Sequence, residues 1–288
     1  MYYQYIYIVI YMDLIWKGLN LTLRIIRKIF QLIVDRPIKN GVMLNDRYEV
    51  LSVIGVGSFG IVYLCKDLKA NEKRVVKQLR PSKHRSKNDM ELFENEIVVL
   101  RTLSHKRIPM LIESFSSNRN LFYVMSLMEG DNLEDQIFSS KKAFNEKDSL
   151  LILSYLLELV DYIHSKGIYH QDLRIPNILL NKKDLFLIDF GLAKFSATVD
   201  PHHSHEGILK LKQQDYYDLG EILLFLLYTT YSSKNKKALP WTEELSLKKE
   251  TVYLLKRLVQ INEPYSNMNE ILADLQSALK AQEPLSKN

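Results

Sequence analysis

The stretch from residue 170 to residue 191 contains the side chains best suited to chemistry. Asp172 carries a carboxylate of the kind that serves as a general base. Asn177 and Asp189 carry oxygen atoms, the ligands that Mg²⁺ prefers in proteins. Two short apolar runs between Asn177 and Asp189 predict a β-hairpin. The alternative interpretation is a buried polar turn whose carboxylates only cap backbone amides.

The same stretch contains two motifs in a fixed order. His170, Asp172, Leu173 and Asn177 fit the pattern H-x-D-L-x-x-x-N. Asp189-Phe190-Gly191 begins twelve residues after Asn177. Together, at this spacing, the motifs resemble those of the protein kinase family. The resemblance implies transfer of the γ-phosphoryl group of ATP to a hydroxyl group.

The resemblance assigns roles to four of these residues. Asp172 is expected to accept or orient the proton of the incoming hydroxyl, and Asn177 and Asp189 to hold Mg²⁺. Arg174 lies two residues after Asp172, where a cation reaches the phosphate that is transferred. Positioning and charge neutralisation supply most of this catalysis, because the transition state spreads charge over phosphate oxygens. ATP and Mg²⁺ are therefore the expected cofactors.

A glycine-rich turn lies in an alternating region between residues 48 and 64. Its G-x-G-x-x-G pattern also occurs in dinucleotide-binding folds, where the glycines open a helix. Here a strand-like segment, residues 62–64, follows instead. The kinase resemblance implies that backbone amides of the turn approach the ATP phosphates and that Phe59 covers its tip. The nucleotide-binding residues expected here are Ile54, Gly55, Val56, Gly57, Ser58, Phe59, Gly60 and Val62.

Lys77 resembles the strand lysine that holds the α- and β-phosphates in the family. Val75 stands where the family usually has alanine against the adenine, which predicts a slightly tighter nucleotide pocket. A helical pattern follows over residues 90–103, and Glu96 matches the glutamate that pairs with the lysine. Glu94 is the competing candidate, but Glu96 keeps the family's spacing to the residues that follow.

Residues 121–130, LFYVMSLMEG, predict a buried strand that runs into a hinge. By resemblance, Met125 lies behind the adenine, and the hinge backbone comprises Ser126, Leu127 and Met128. Leu179 and Ile188 would add to the apolar walls formed by Ile54 and Val62, although each position also suits a plain core. Asp131 and Asn132 are candidates for contacts with the ribose.

The resemblance is looser after Gly191. Residues 215–220, DYYDLG, are similar to the family's D-x-W-S-x-G, and Asp215 is expected to brace the catalytic loop. Only 23 residues separate Gly191 from Asp215, and none of them spells A-P-E. The arginine that usually pairs with that glutamate is absent too. These departures predict a shortened activation segment and put the usual groove for a peptide substrate in doubt.

Two further features of this region bear on regulation and metal binding. Gln171 replaces the arginine that normally neutralises a phosphorylated activation segment. His202, His203 and His205 lie close together in the sequence. Three histidines are able to bind a metal, and the alternative is a solvated loop.

Composition limits the class of protein. The chain has 288 residues, is 47% hydrophobic and 25% charged, and carries a net charge of +5, which suits a globular protein with a core. Residues 1–40 hold six cationic and two acidic side chains, so most of the positive charge belongs to that segment and a nucleic-acid partner is not expected. The single cysteine, Cys65, suits a reducing compartment, and we expect a cytoplasmic protein.

The N-terminal segment has a pattern of its own. Residues 14–34 place their cationic and amide side chains in one sector of a helix and apolar residues around the rest. This pattern is typical of a helix at an anionic membrane surface, here the inner face; the alternative is a helix docked on protein. The first eleven residues are uncharged, too short to span a bilayer, and unlike a secretory signal. Translation starts at Met1 or at Met12.

We therefore predict an α+β, two-lobed, protein-kinase-like fold preceded by an amphipathic helix. Residues 1–45 form the N-terminal segment and linker, and residues 46–283 form the kinase-like domain, with lobes of about 46–127 and 128–283. The predicted activity is phosphoryl transfer from Mg-ATP to a serine or threonine of a protein. Two alternatives remain: a small-molecule kinase of the choline or aminoglycoside type, and a nucleotide-binding pseudokinase scaffold.

Overall fold

The computed structural model describes residue 31 and residues 34–58, 60–182, 184–198, 204–232 and 239–283. The chain forms two compact units. The first comprises Met1–Phe93 and Glu113–Val124, and the second comprises Glu94–Ile112 and Met125–Asn288. One boundary between the units falls between Val124 and Met125. The grouping of Glu94–Ile112 with the second unit was not predicted.

The first unit is built on a six-stranded sheet with the strand order β1-β2-β3-β4-β6-β5. A 3₁₀ turn, Pro81–Lys83, leads into helix α1, Lys87–Thr102, whose second half belongs to the other unit. The strands are β1 (Met43–Leu44), β2 (Tyr48–Val56), β3 (Gly60–Asp67), β4 (Glu72–Leu79), β5 (Leu111–Ser117) and β6 (Asn120–Ser126).

Alternation of apolar side chains explains why these segments form strands with one buried face. In β3, Ile61, Tyr63 and Cys65 are fully buried, as period-two spacing requires. Burial raises the pKa of the Cys65 thiol to about 12, so this cysteine is inert. At the end of β3, Asp67 accepts two bonds from Arg47, at 2.8 and 2.7 Å, and this bonding lowers its pKa to about 2.

The end of the segment 1–45, predicted as an N-terminal segment and linker, takes part in the sheet. Met43 and Leu44 form β1 and pair with Glu49 and Tyr48 of β2. Just before them, the backbone N–H of Ile38 donates to the Tyr63 hydroxyl at 3.1 Å. The sequence showed no sign of this strand, because two residues are too few to leave a periodic signal.

The second unit is mainly helical. Two small sheets accompany the helices, one with the order β10-β9-β7 and one that pairs β11 with β8. The strands are β7 (Asp131–Asn132), β8 (Ile168–Tyr169), β9 (Ile178–Asn181), β10 (Asp184–Leu187) and β11 (Lys194–Phe195). The helices are α2 (Leu133–Phe138), α3 (Glu146–Ser165), α4 (Ser204–Tyr228), α5 (Trp241–Glu244), α6 (Lys249–Leu258) and α7 (Met268–Lys280).

Helix α3 forms the centre of this unit and packs against α4 and α7. It begins at a capping residue, Asn145, whose side chain accepts a bond from the backbone N–H of Asp148 at 2.9 Å. Nine of its residues are buried, including Leu156, Leu157 and Val160. The small β-rich unit and the larger helical unit confirm the predicted α+β class.

Within the described residues, no helix is long and apolar enough to cross a membrane. The predicted amphipathic helix, residues 14–34, lies outside the described part of the chain except for residues 31 and 34. The structure therefore does not test it.

Candidate active site

The catalytic loop lies between β8 and β9 in the second unit. It ends in a 3₁₀ turn, Ile175–Asn177, where Pro176 fixes the backbone at the start of the turn. The side-chain amide nitrogen of Asn177 donates to the backbone oxygen of Asp172 at 2.9 Å and to its Oδ2 at 3.1 Å. Because the nitrogen of the amide faces Asp172, its oxygen faces away from Asp172.

The β9–β10 hairpin brings the two predicted metal ligands to the same place. Its strands pair in antiparallel register, with Leu187 opposite Ile178. The backbone N–H of Ile188 then donates to the backbone oxygen of Asn177 at 2.9 Å. Asp189, the next residue, is exposed and has a positive φ of 63°. Such a backbone angle costs energy for a residue with a side chain and is concentrated at functional sites.

The buried carboxylate of Asp215, in α4, holds the start of the catalytic loop. It accepts bonds from the backbone N–H groups of His170 and Gln171, at 2.9 and 2.8 Å. The ring nitrogen Nε2 of His164 lies 2.8 Å from the same carboxylate. The bracing contact predicted for Asp215 is thus present.

Asp218 is a second carboxylate beneath the loop that the sequence analysis did not single out. Its Oδ2 accepts a bond from the backbone N–H of Leu173 at 3.3 Å, and its Oδ1 from Gln214 at 2.7 Å. Burial raises the pKa of Asp218 to about 6, with a smaller contribution from the charge of Asp215. The signal that could have identified it is an acidic residue inside an apolar helix.

His170 is buried against Phe190, with 4.8 Å between the ring centroids. Burial lowers the pKa of His170, because the charged ring would lose its hydration. The ring is therefore neutral and serves to pack the two motifs together.

The glycine-rich turn belongs to the first unit. It joins β2 and β3 and is closed by a bond from the Gly57 N–H to the Gly60 oxygen at 2.9 Å. A Cβ at Gly60 would lie 2.9 Å from the backbone oxygen of Gln78, so only glycine fits there. Ile54 and Val56, two of the predicted nucleotide contacts, are more than half exposed. Phe59 lies outside the described residues.

Lys77 lies in the middle of β4, opposite Val62 in the register with β3. It is buried, and its Nζ lies 6.0 Å from the ring centroid of Tyr123. Val75, two residues earlier, lies on the same face of the strand and is also buried. The structure thus brings Val75, Lys77 and Val62 to one part of the sheet.

Glu96 is buried in the half of α1 that belongs to the second unit. A Cβ at Gly191 would lie 3.6 Å from Glu96 Oε2, so this glutamate is next to the Asp189-Phe190-Gly191 motif. Its neighbour Asn95 donates to the backbone oxygen of Ala193 at 2.8 Å. The pairing of Glu96 with Lys77 stays a prediction, because the two residues belong to different units.

The hinge and ribose candidates have partners of their own. Ser126 exchanges two bonds with Met110, both at 2.9 Å. Asn132 caps α2 by accepting a bond from the Asp135 N–H at 2.7 Å. That capping role is the structural reason for an asparagine at 132, and Asp131 is exposed beside it.

The remaining candidates are partly outside the structure. Met125 and Leu179 are half-buried, and Arg174 is exposed beside Asp172. His202 and His203 lie outside the described residues. Among the residues that are described, no group of three or more His, Cys, Asp or Glu side chains is arranged to hold a metal ion. Asn177 and Asp189 still suit Mg²⁺, which needs only one or two protein ligands when phosphates supply others.

Comparison with known proteins agrees with this geometry. The protein kinase domain model matches residues 48–210. The Probable serine/threonine-protein kinase YbdM of Bacillus subtilis (strain 168) is 43% identical over 261 residues, covering 91% of this chain and 99% of the relative. Calcium-dependent protein kinase 10 of Arabidopsis thaliana is 34% identical over 207 residues, covering 66% of this chain and 38% of the relative.

The chain therefore belongs to the protein kinase family. The matched region contains the glycine-rich turn, Lys77, the catalytic loop and the motif at Asp189, the parts from which the resemblance was first drawn. The match ends at residue 210, inside α4. The looser resemblance expected after Gly191 is consistent with that limit.

Proposed function

We propose that this protein is a serine/threonine protein kinase that uses ATP and Mg²⁺, with Asp172 as the catalytic base. The observation that carries the proposal is the pair of bonds from Asn177 to Asp172. These bonds orient the Asp172 carboxylate, the proposed base, and the Asn177 amide, the proposed metal ligand. When bound, Mg-ATP supplies the phosphoryl group and neutralises the charge that develops on it.

The residues of this chain then have distinct tasks. Oδ2 of Asp172 is occupied by Asn177, so Oδ1 is the oxygen that accepts the proton of the attacking hydroxyl. The oxygens of Asn177 and Asp189 hold the metal, and Lys77 holds the α- and β-phosphates. Arg174 is exposed and free to approach the phosphate that is transferred.

The nucleotide-binding assignments complete the proposal. Glu96 orients Lys77, and the glycine-rich turn presents its backbone amides to the phosphates. The adenine is held by Val75, Met125, Leu179 and the hinge residues Ser126, Leu127 and Met128. Exposed apolar side chains such as Ile54 and Val56 suit a surface that a ligand covers.

A groove in the second unit favours a protein substrate over a small molecule. It lies beside the catalytic loop and is lined by apolar residues together with Glu134 and Glu221. Phe138 and Phe225 are 62% and 50% exposed within it. Small-molecule sites enclose most of their ligand, whereas this groove leaves its phenylalanine side chains half exposed, so it fits an extended polypeptide better. The groove also includes Leu173, Arg174, Ile175, Pro176 and Ile222.

Labelled ATP tests the proposal directly. Purified protein is incubated with labelled ATP and Mg²⁺, alone and with generic protein substrates, and Lys77→Met is the matched control. Label on serine or threonine of a protein supports the proposal. Label on choline or an aminoglycoside would identify a small-molecule kinase, and ATP binding without transfer would identify a scaffold.

The location of the kinase is the last part of the proposal. We place it in the cytoplasm, with residues 14–34 at the inner, anionic face of the membrane. The support is the sequence pattern of that segment, four cationic side chains opposite a wide apolar face.

A further inference from the structure

Two cationic residues lie against the glycine-rich turn, Lys77 in β4 and Arg80 just after it. Lys77 lies against Gly60, since a Cβ there would be 3.2 Å from two of the lysine's side-chain carbons. Arg80 follows the last residue of β4, and its Nε donates to the backbone oxygen of Gly57 at 2.7 Å. The family resemblance accounts for Lys77, but it assigns nothing to Arg80.

Asp35 holds Arg80 in place. Its Oδ2 lies 3.3 Å from Nη1 of Arg80 and accepts the Ser82 hydroxyl at 2.8 Å, while Oδ1 accepts the Ser82 backbone N–H at 2.9 Å. The Asp35 side chain is only 4% exposed. A buried carboxylate with three donors has little freedom, so the guanidinium group that it contacts is also confined.

The bond to Gly57 determines the direction of a neighbouring donor. In a planar trans peptide, the C=O of one residue and the N–H of the next point in opposite directions. Because the Gly57 oxygen faces Arg80, the Ser58 N–H faces the other way, out of the turn. Glycine backbones rotate freely when nothing holds them. The bond from Arg80 to Gly57 therefore fixes the orientation of the Ser58 N–H.

We propose that Arg80 is a positioning residue for nucleotide phosphates, and that Asp35 positions Arg80. The inference rests on the proposed use of ATP by this turn. By holding the peptide between Gly57 and Ser58, Arg80 keeps the Ser58 N–H directed at a phosphate oxygen. Arg80 acts through the backbone of the turn, to which its Nε donates. The competing explanation is an ion pair that stabilises the first unit and leaves ligand binding unchanged.

Binding of two ligands separates these explanations. Labelled ATP with Mg²⁺ and labelled adenosine are titrated against wild-type protein, Arg80→Met and Arg80→Lys. Arg80→Met should weaken ATP binding about five- to tenfold, the equivalent of one hydrogen bond. Adenosine has no phosphate, so its affinity should stay the same. Arg80→Lys, which keeps the charge but not the planar fork, should recover part of the loss.

Arg85→Met is the matched control, because Arg85 is an exposed arginine five residues further along. It should bind both ligands as the wild type does. Equal losses of ATP and adenosine affinity in Arg80→Met would show a structural ion pair and overturn the inference. So would unchanged ATP affinity. Failure of the wild type itself to bind ATP would instead contradict the proposed function.

A milder variant covers the case in which Arg80→Met does not fold. Asp35→Asn keeps an acceptor for Ser82 but removes the charge that orients Arg80. It should weaken ATP binding about two- to threefold and leave adenosine binding unchanged. A folded Asp35→Asn protein with wild-type affinity for ATP would overturn the inference.

Discussion

Gln171 donates its side-chain amide to Asp215, with 3.1 Å between Nε2 and Oδ1. The same nitrogen lies 2.9 Å from the backbone oxygen of Leu211. Gln171 replaces the arginine that normally faces a phosphorylated activation segment. Here its side chain is bound to α4 and carries no charge, so it offers no charge-assisted partner to a phosphate.

We therefore predict that activity does not depend on phosphorylation of the segment after Gly191. Replacement of Ser196, Thr198 and Ser204 together by alanine should retain activity to within about twofold. Phosphatase treatment of the wild-type protein should likewise have little effect. Initial rates of phosphoryl transfer provide the measurement. A fall to background in the triple variant, with the fold intact, would contradict this prediction.

The two carboxylates of the catalytic region should differ in their kinetic signatures. Asp172→Asn should lower kcat about 10²- to 10⁴-fold and leave ATP affinity nearly unchanged, because the base acts in the chemical step. Steady-state kinetics and equilibrium binding of ATP together measure this. Asp184→Asn, an exposed residue of β10, is the matched control and should behave as the wild type.

Asp189→Asn should instead weaken the binding of ATP in the presence of Mg²⁺. The amide lacks the charge that attracts the cation, so affinity should fall most at low Mg²⁺ concentration. A titration of Mg²⁺ at constant ATP measures the change. Wild-type turnover in both the Asp172 and the Asp189 variants would show that the chemistry lies elsewhere.

Asp218 should make stability depend on pH. Its pKa is raised from 3.8 in the unfolded chain to about 6 in the folded protein, so folding favours the protonated form. The stability that protonated Asp218 provides is fully present below about pH 4. It is lost as pH rises through about 6, where Asp218 ionises in the folded protein. Asp218→Asn should remove the dependence and stabilise the protein by about 1–2 kcal/mol at pH 7.5.

Thermal unfolding between pH 4.5 and 7.5 tests the role of Asp218. The difference in midpoint between Asp218→Asn and the wild type should grow with pH, whereas Asp184→Asn should show no such trend. A pH-independent difference would mean that Asp218 is ionised throughout this range in the folded protein.

The N-terminal segment should bind anionic vesicles. Each Lys or Arg near such a surface contributes about 1 kcal/mol, and Lys17, Arg24, Arg27 and Lys28 all lie in the segment. Co-sedimentation should therefore weaken in high salt and on neutral lipid. Deletion of residues 1–30 should abolish vesicle binding with kinase activity retained.

The deletion ends before Asp35 because that residue bonds to Ser82 and contacts Arg80. A variant with Lys17, Arg24, Arg27 and Lys28 changed to glutamine is the matched control for charge. If the shortened protein aggregates while the full-length chain ignores vesicles, the segment docks on protein and the membrane prediction is wrong.

The sequence by itself determined the family, and it predicted the chemistry that is proposed for it. The types and spacing of Asp172, Asn177 and Asp189 predicted a base and two metal ligands within 18 consecutive residues. The hairpin between Asn177 and Asp189 followed from its apolar runs, and the structure has it. These features involve residues close together in the sequence, and such short spacings define a motif. The roles proposed for Lys77 and Glu96 came from the same source.

The tertiary structure decided which residues hold that machinery in place. Asp218 reaches the N–H of Leu173 across 45 residues of sequence, and Asp35 reaches Ser82 across 47. The bond from Gln171 to Asp215 and the bond from Arg80 to Gly57 are also nonlocal, across 44 and 23 residues. A hydrogen bond depends on direction and burial, which only the folded chain defines, so no spacing in the sequence predicts these contacts.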